Sequence, residues 1–145
     1  MTEAGISASA SGGVATIRNT VVRNNAIGID GHGLPPNTGI TRVVVTNSTV
    51  VNNGTGALSD SNTGTEVQFT VTQSTFSGNS TAFEVINDLS NASFFLERTT
   101  VTFSTTAFLV SSIPGQTIFT AGNNSIGYVG ELIGGGGSLT PCCTN

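Results

Sequence analysis

Three aspartates and the single histidine of the chain occupy similar places in a repeating sequence, and their side chains are suited to acid–base chemistry. Asp30 and His32 lie in the segment 29–39, IDGHGLPPNTG, and Asp60 and Asp88 lie in the segments LSDSNTGT and INDLSNA. On stacked repeats these carboxylates would lie about 5–10 Å apart, which is compatible with general acid–base catalysis or with Ca²⁺. Aspartate is also common in turns, because its side chain bonds the local backbone. We therefore predict that these residues lie in corner loops, and we keep two interpretations of them, a ligand or acid/base cluster and turn residues whose side chains bond the local backbone.

Composition excludes several classes of protein. The chain has 145 residues with eight acidic and four basic side chains, and its net charge is −4. A nucleic-acid-binding surface needs a cluster of Lys and Arg, so we predict no nucleic-acid partner. The apolar runs are far too short to cross a bilayer, so we predict no membrane insertion. Ser, Thr, Asn and Gly make up about half of the chain, which favours one small β-rich domain with a polar surface.

A repeat of about 25 residues runs along the chain, with clear copies at 43–53, 69–79 and 94–104. Apolar and polar residues alternate within each copy, which places one face of each strand inward. Superposing the copies predicts a core stack of Val22, Val50, Phe76, Val101 and Ile126. A second column holds Ile17, Val45, Val71, Leu96 and Ala121, and a third holds Ala15, Val43, Phe69, Phe94 and Phe119. A fourth, after the turn, holds Ile29, Ala57, Phe83 and Phe108.

The repeat predicts a parallel solenoid rather than hairpins. The pattern never reverses, and the turn dipeptides typical of hairpins are scarce. Each repeat should therefore make one circuit and pair with the next about 4.8 Å away. We predict an all-β, right-handed parallel β-helix of about five coils in residues 14–130. We expect residues 1–13 to be the end of an incomplete coil or an N-terminal lead-in to the first coil. Residues 131–145 would form a C-terminal cap and tail, in which Pro141 opposes further strand pairing.

Two polar columns accompany the apolar ones. Asn25, Asn53 and Asn79 recur at one bend, where stacked amides can bond from coil to coil and tolerate a left-handed backbone. They are predicted to form a structural ladder. A second column, Thr49, Thr75, Thr100 and Ser125, faces outward in the prediction. Because ranks of threonine on a flat sheet can order water, an ice-binding solenoid is one alternative function, although the flanking positions vary.

The unit NSTVVNNGTG at 47–56, with its echoes at 19–28, 73–82 and 98–107, resembles the repeat of the right-handed parallel β-helix family, the pectate-lyase-like solenoids. The resemblance covers roughly residues 5–130 and implies a binding groove along one sheet face. Resemblance to pectate lyases in particular would imply a cluster of Asp residues that binds Ca²⁺, with a catalytic Arg or Lys beside it. This chain has no Lys, and its arginines are scattered among different columns. We therefore predict no catalytic residue, no metal site and no cofactor, with Ca²⁺ at the aspartates as the alternative.

These features together predict a non-catalytic, extracellular or cell-surface module that binds carbohydrate, such as a polysaccharide, or a surface protein. The alternative from a different class is a fragment of a polysaccharide lyase or glycoside hydrolase. Residues 1–13 contain no helical cap for the first coil. The open N-terminal end would then be covered by a partner, by further coils, or by a second copy of the chain in a homo-oligomer.

Overall fold

The computed structural model describes residues 3–10, 12–34, 39–61, 65–87, 91–110, 116–127, 129–134 and 139–141. Seventeen β-strands lie in these ranges, and the described residues contain no helix. Every strand pair is parallel and joins strands one turn apart. The predicted all-β class and parallel solenoid are thus confirmed.

The strands form three sheets. Sheet A contains β1 (Ala4–Ala10), β4 (Ile27–Gly33), β7 (Thr55–Ser61), β10 (Thr81–Asn87), β13 (Thr106–Val110) and β16 (Glu131–Gly134). Sheet B contains β2 (Gly13–Arg18), β5 (Ile40–Thr46), β8 (Glu66–Thr72), β11 (Ala92–Glu97), β14 (Gln116–Thr120) and β17 (Leu139–Pro141). Sheet C contains β3 (Val21–Arg23), β6 (Thr49–Val51), β9 (Thr75–Ser77), β12 (Thr100–Thr102) and β15 (Ser125–Gly127). The five strands of sheet C are separated by about four turns of chain, slightly fewer than the predicted five coils.

Rows of apolar side chains fill the space between the sheets. Sheet C holds in register Val22, Val50, Phe76, Val101 and Ile126. Sheet A holds in register Ile29, Ala57, Phe83 and Phe108, all fully buried. Phe83 lies at the centre, with its ring centroid 4.3 Å from that of Phe76 and 5.2 Å from that of Phe94. Like residues stack because parallel pairing in register brings equivalent positions of successive turns together.

The last turn departs from the predicted columns. Phe94 pairs with Ile118, which is buried, while Phe119 pairs with Phe95 on the outer face of sheet B. The prediction that Phe119 and Ala121 are core residues is therefore wrong. The bend between β14 and β15 contains one more residue than the equivalent bend between β11 and β12. The evidence is the register, because Leu96 pairs with Thr120 before the bend and Val101 pairs with Ile126 after it, so the interval between partners grows by one residue. The extra residue restores the register of the core in sheet C.

Two bends per turn use left-handed backbone in the turns up to β13. Asn19, Asn47, Gln73 and Arg98 have positive φ between sheets B and C, and Asn24, Asn52, Gly78 and Phe103 have it between sheets C and A. Asparagine and glycine accept this conformation at little cost, whereas a bulky residue does not. The bends therefore explain much of the recurrent Asn.

Phe103 is the bulkiest of these left-handed residues, with a φ of 54° and a side chain that is 67% exposed. Asparagine at this position relieves the backbone strain, so we expect Phe103→Asn to raise the free energy of unfolding by about 0.5–1 kcal/mol. Gly78→Ala should have the opposite effect, because φ is 66° and a Cβ there would approach Asn52 Oδ1 at 2.5 Å. Urea denaturation of both variants measures the difference. A loss of stability in Phe103→Asn would show that the ring outweighs the strain.

The side chains of Asn25, Asn53 and Asn79 bond from turn to turn. The backbone N–H and the Nδ2 of Asn53 both donate to Asn79 Oδ1, at 2.9 and 3.1 Å. The same two groups of Asn25 donate to Asn53 Oδ1, at 3.0 and 3.2 Å. Asn53 and Asn79 are buried. Each buried amide thus satisfies backbone groups that the bend leaves outside the sheet ladders.

Strands extend past both predicted boundaries of the repeat region. β1 pairs with β4, and β16 and β17 pair with β13 and β14. Pro141 lies in β17, an end strand of sheet B in the described part of the chain, where proline is tolerated because half of the N–H groups need no strand partner. Residues 135–138 and 142–145 lie outside the described residues, so the predicted cap stays a prediction. At the other end, Val14 and Val21 are 66% and 65% exposed, and a homo-oligomer through this end also stays a prediction.

Candidate functional site

Asp30, His32 and Asp60 lie on the outer face of sheet A. Asp30 and His32 are two residues apart in β4, so both side chains leave the same face, and His32 is the register partner of Asp60 in β7. The prediction that these residues lie in corner loops is therefore wrong. Asp88, the fourth predicted member of the cluster, lies outside the described residues.

The glycines that suggested a loop are inward-facing strand residues. A Cβ at Gly31 would overlap the ring of Phe69, and a Cβ at Gly33 would lie 2.8 Å from Cγ2 of Thr65. Glycine is required at these two positions because side chains from the next turn fill the space beneath β4. The close approach lets β4 continue to Gly33, and this extension carries His32 onto the sheet.

A hydrogen bond joins the two facing side chains of the cluster. His32 Nδ1 lies 2.9 Å from Asp60 Oδ2, and the two side chains are 28% and 27% exposed. The bond to a carboxylate favours the tautomer with a proton on Nδ1 and leaves Nε2 as an acceptor directed away from Asp60. The pair is thus oriented yet accessible from solvent.

Asp30 is half-buried beside this pair. Its Oδ1 is fully buried and has no hydrogen-bond partner among the described residues. Burial raises the pKa of the Asp30 carboxyl above its ordinary value, while His32 lowers the pKa and the Asp60 carboxylate raises it. A buried acceptor without a donor costs about 1–3 kcal/mol, so this environment favours a proton on the Asp30 carboxyl.

The pKa of Asp30 makes stability depend on pH in a defined direction. Because the folded-state pKa lies above the unfolded-state value, folding favours the protonated carboxyl, and its contribution is lost as the pH rises through the folded-state pKa. We expect Asp30→Asn to lack this loss. The free energy of unfolding of the wild type relative to the variant should be higher at about pH 3 than at about pH 7. Urea titrations of both proteins at both pH values measure these free energies. If the free energy of unfolding of the wild type minus that of the variant does not fall as the pH rises, the raised pKa of Asp30 is contradicted.

Neighbouring side chains complete the outer face of sheet A. Ser7 and Ser9 of β1 are register partners of Asp30 and His32, and on the other side Leu58 and then Glu84 continue the Asp30 row. The sequence interpretation missed these neighbours. The repeat spacing could have identified Leu58, since Asp30 and Leu58 are separated by the same interval as Val22 and Val50.

The arrangement combines a hydrogen-bonded His–Asp pair with a buried carboxylate oxygen. It can accept hydrogen bonds from hydroxyl or amino groups, and the imidazole can move a proton. Within the described ranges, no group of three or more His, Cys, Asp or Glu side chains is placed to hold a metal ion. Nor does the described part of the chain contain a helix long and apolar enough to cross a membrane.

The other outer faces carry different patterns. On sheet C, the column Thr49, Thr75, Thr100 and Ser125 is in register and partly exposed. The parallel column reads Arg23, Val51, Ser77, Thr102 and Gly127. The threonines thus form one regular rank beside a mixed one, and ice binding stays a prediction. On sheet B, Phe95 and Phe119 lie in one outward row with Thr70.

Comparison with protein-family models, with curated proteins and with solved structures found no match to the chain. The functional argument therefore depends on the site itself, since a solenoid fold alone does not specify an activity.

Proposed function

We propose that the chain is a carbohydrate-binding β-solenoid module whose ligand lies on the outer face of sheet A at Asp30, His32 and Asp60. The membership of the pectate-lyase-like family and the extracellular or cell-surface location belong to the same proposal. The recurrent Asn-rich unit and the acidic, Lys-free composition support them. A right-handed winding is supported by the general preference of parallel crossovers for that hand.

The partly exposed, hydrogen-bonded His32–Asp60 pair beside the half-buried Asp30 is the observation that carries the proposal. Oδ1 of Asp30 is covered by protein, so a ligand hydroxyl would reach the Asp30 carboxyl through its other oxygen. Asp60 and His32 lie next to it and offer further acceptors to a polyhydroxylated ligand.

The charge of the site narrows the class of sugar. Two carboxylates lie close together, and Glu84 follows in the Asp30 row. Such a face repels polyuronates and favours neutral sugars or amino sugars. The proposed ligand is therefore a neutral or amino-substituted oligosaccharide rather than pectate.

Isothermal titration with neutral, amino and uronic oligosaccharides tests the proposal. We expect binding of the first two classes, and a loss of about tenfold or more in affinity in Asp30→Ala, because one charge-assisted bond from the ligand disappears. Glu131→Gln, which changes an exposed carboxylate at the far end of sheet A, is the matched control and should bind normally. Binding unaffected by Asp30→Ala, or no binding to any of the three classes, would refute the proposal.

A second candidate is acid–base cleavage of a polysaccharide at the same site. The observation that favours it is the convergence of His32 and Asp60 at 2.9 Å beside Asp30. Burial raises the pKa of Asp30, which suits a proton donor, while His32 Nε2 suits a base. Chromatography of products from neutral and amino polysaccharides tests this activity, and we expect His32→Gln to abolish cleavage. The absence of any cleaved product would exclude it.

A further inference from the structure

We infer that Ser9 is a nucleophile, activated by His32 and oriented through Asp60, for acyl transfer from small carboxylic esters. The inference adds a reaction to the proposed binding function. It uses the same His–Asp pair but does not require the ligand to be a carbohydrate.

Three neighbouring strands place the three residues in one row. Ser9 of β1 is the register partner of His32 in β4, and His32 is the register partner of Asp60 in β7. Adjacent strands lie about 4.8 Å apart, so each side chain can reach the next without movement of the backbone. This is the order nucleophile, base and orienting carboxylate that activated serines use on unrelated folds.

The histidine is oriented for this role. Its Nδ1 is bonded to Asp60 at 2.9 Å, so Nε2 is directed away from β7, the side on which β1 carries Ser9. The Ser9 hydroxyl lies 3.0 Å from Ser7 Oγ. A rotation about χ1 of Ser9 brings Oγ toward Nε2, and catalytic bonds of this kind often tighten only when substrate is bound.

The backbone of Ser9 supplies a donor for the developing oxyanion. Ala10 O accepts a hydrogen bond from the N–H of Leu34 at 3.4 Å, so the polar backbone groups of Ala10 face β4. Polar groups of successive strand residues point to opposite sides, so the N–H of Ser9 faces the open edge of sheet A. In the described part of the chain no further strand lies beyond β1 on that side. An N–H of the nucleophile itself is a common component of oxyanion sites.

A cavity of about 260 Å³ opens at this edge, and Ser9 is part of its wall. Ala8, Ala10 and Ala15 also line it, and Thr41 closes one side through its hydrogen bond to Ala10 O at 2.7 Å. The volume is below the range of about 300–1,000 Å³ that is typical of sites for drug-sized ligands. The alanine side chains lie on the inner side of β1, opposite the exposed Ser9 side chain, so only a short acyl chain that passes around this edge strand enters the cavity.

The reaction follows from these positions. Ser9 Oγ attacks the acyl carbon while its proton passes to His32 Nε2, and the Ser9 N–H stabilises the oxyanion. The bond to the alcohol oxygen then breaks, the alcohol leaves with the proton from Nε2, and the acyl group remains on Ser9. Water attacks this ester with His32 again as the base, which releases the carboxylic acid and restores the serine. Asp60 stabilises the imidazolium through Nδ1.

Covalent labelling of the full chain tests the inference. We treat the folded protein with a fluorophosphonate probe and with p-nitrophenyl acetate, and locate the adduct by tandem mass spectrometry in the tryptic peptide that ends at Arg18. We expect an adduct on Ser9 and none after denaturation in urea. Ser9→Ala should abolish labelling, whereas Ser7→Ala, a matched change on the same face of β1, should label at the wild-type rate or faster. His32→Gln and Asp60→Asn should label about a hundredfold more slowly.

Circular dichroism melts of all four variants exclude unfolding as the cause of any loss. An adduct on Ser7 instead, equal labelling of denatured protein, or labelling of Ser9 that does not depend on His32 and Asp60 would overturn the inference. Titration with oligosaccharide separates this inference from the proposed binding function. If Ser9→Ala still binds sugar but is no longer acylated, both proposals are supported. If the wild type is acylated but binds no sugar, only the esterase proposal is supported.

Discussion

Asn53→Ala is expected to lower the free energy of unfolding by about 3–5 kcal/mol, a large part of the roughly 5–15 kcal/mol that stabilises a typical domain. The Asn53 side chain is buried and bonds in both directions along the solenoid. Its Nδ2 also donates to Val51 O at 3.2 Å. The substitution leaves the Asn25 N–H without its acceptor, and an unpaired N–H costs about 1–3 kcal/mol. It also removes the Nδ2 bonds to Val22 O, Val51 O and Asn79 Oδ1.

Asn91→Ala is the matched control, since Asn91 is exposed in the segment between sheets A and B. We expect its effect to stay within about 0.5 kcal/mol. Urea denaturation followed by circular dichroism measures both variants. Equal losses in the two proteins would show that the ladder contributes no more than a surface amide.

Phe83→Ala should be comparably destabilising, by about 3–5 kcal/mol, because it creates a cavity at the centre of the aromatic cluster. The Phe83 ring is fully buried, and its centroid lies 4.3, 5.2 and 5.8 Å from the centroids of Phe76, Phe94 and Phe108. Loss of the ring removes contacts with one strand of each of the three sheets. Thermal and urea denaturation give the free energies.

Phe83→Leu provides a milder version of the same change and keeps the comparison measurable if the alanine variant unfolds. Phe95→Ala, on the outer face of sheet B, should cost about 1 kcal/mol or less. Similar losses at Phe83 and Phe95 would contradict a core built around the inward rows.

The sequence predicts the solenoid well because its signal is periodic. Val50 and Phe76 occupy equivalent places in two copies, and equivalent residues of a parallel stack must be neighbours. The same reasoning brings Asn53 and Asn79 to one bend, where the structure shows them bonded. Repetition supplies in one chain the comparison that otherwise needs several related sequences.

Local exceptions to the period could not be predicted. Gly31 suggests a loop by propensity, and only the packing of Phe69 beneath it explains why β4 continues. Ile118 and Phe119 are both apolar, so the sequence alone does not show which of them faces inward after an extra bend residue. The pairing of His32 with Asp60 follows from the register of β4 and β7, which became visible only with the strand bounds.

The one-turn spacing of the strand pairs also has a kinetic consequence. Each pairing joins residues of similar separation, from Ile118 with Leu139 to Gly13 with Thr41. The entropy of loop closure is therefore nearly the same for every turn, and no contact between distant ends of the chain is required. The slow event in folding is then the formation of a nucleus of two adjacent turns, and the phenylalanine-rich middle offers the strongest one. Later turns add to it in succession, so the time needed to fold depends on that nucleus and little on the length of the rod.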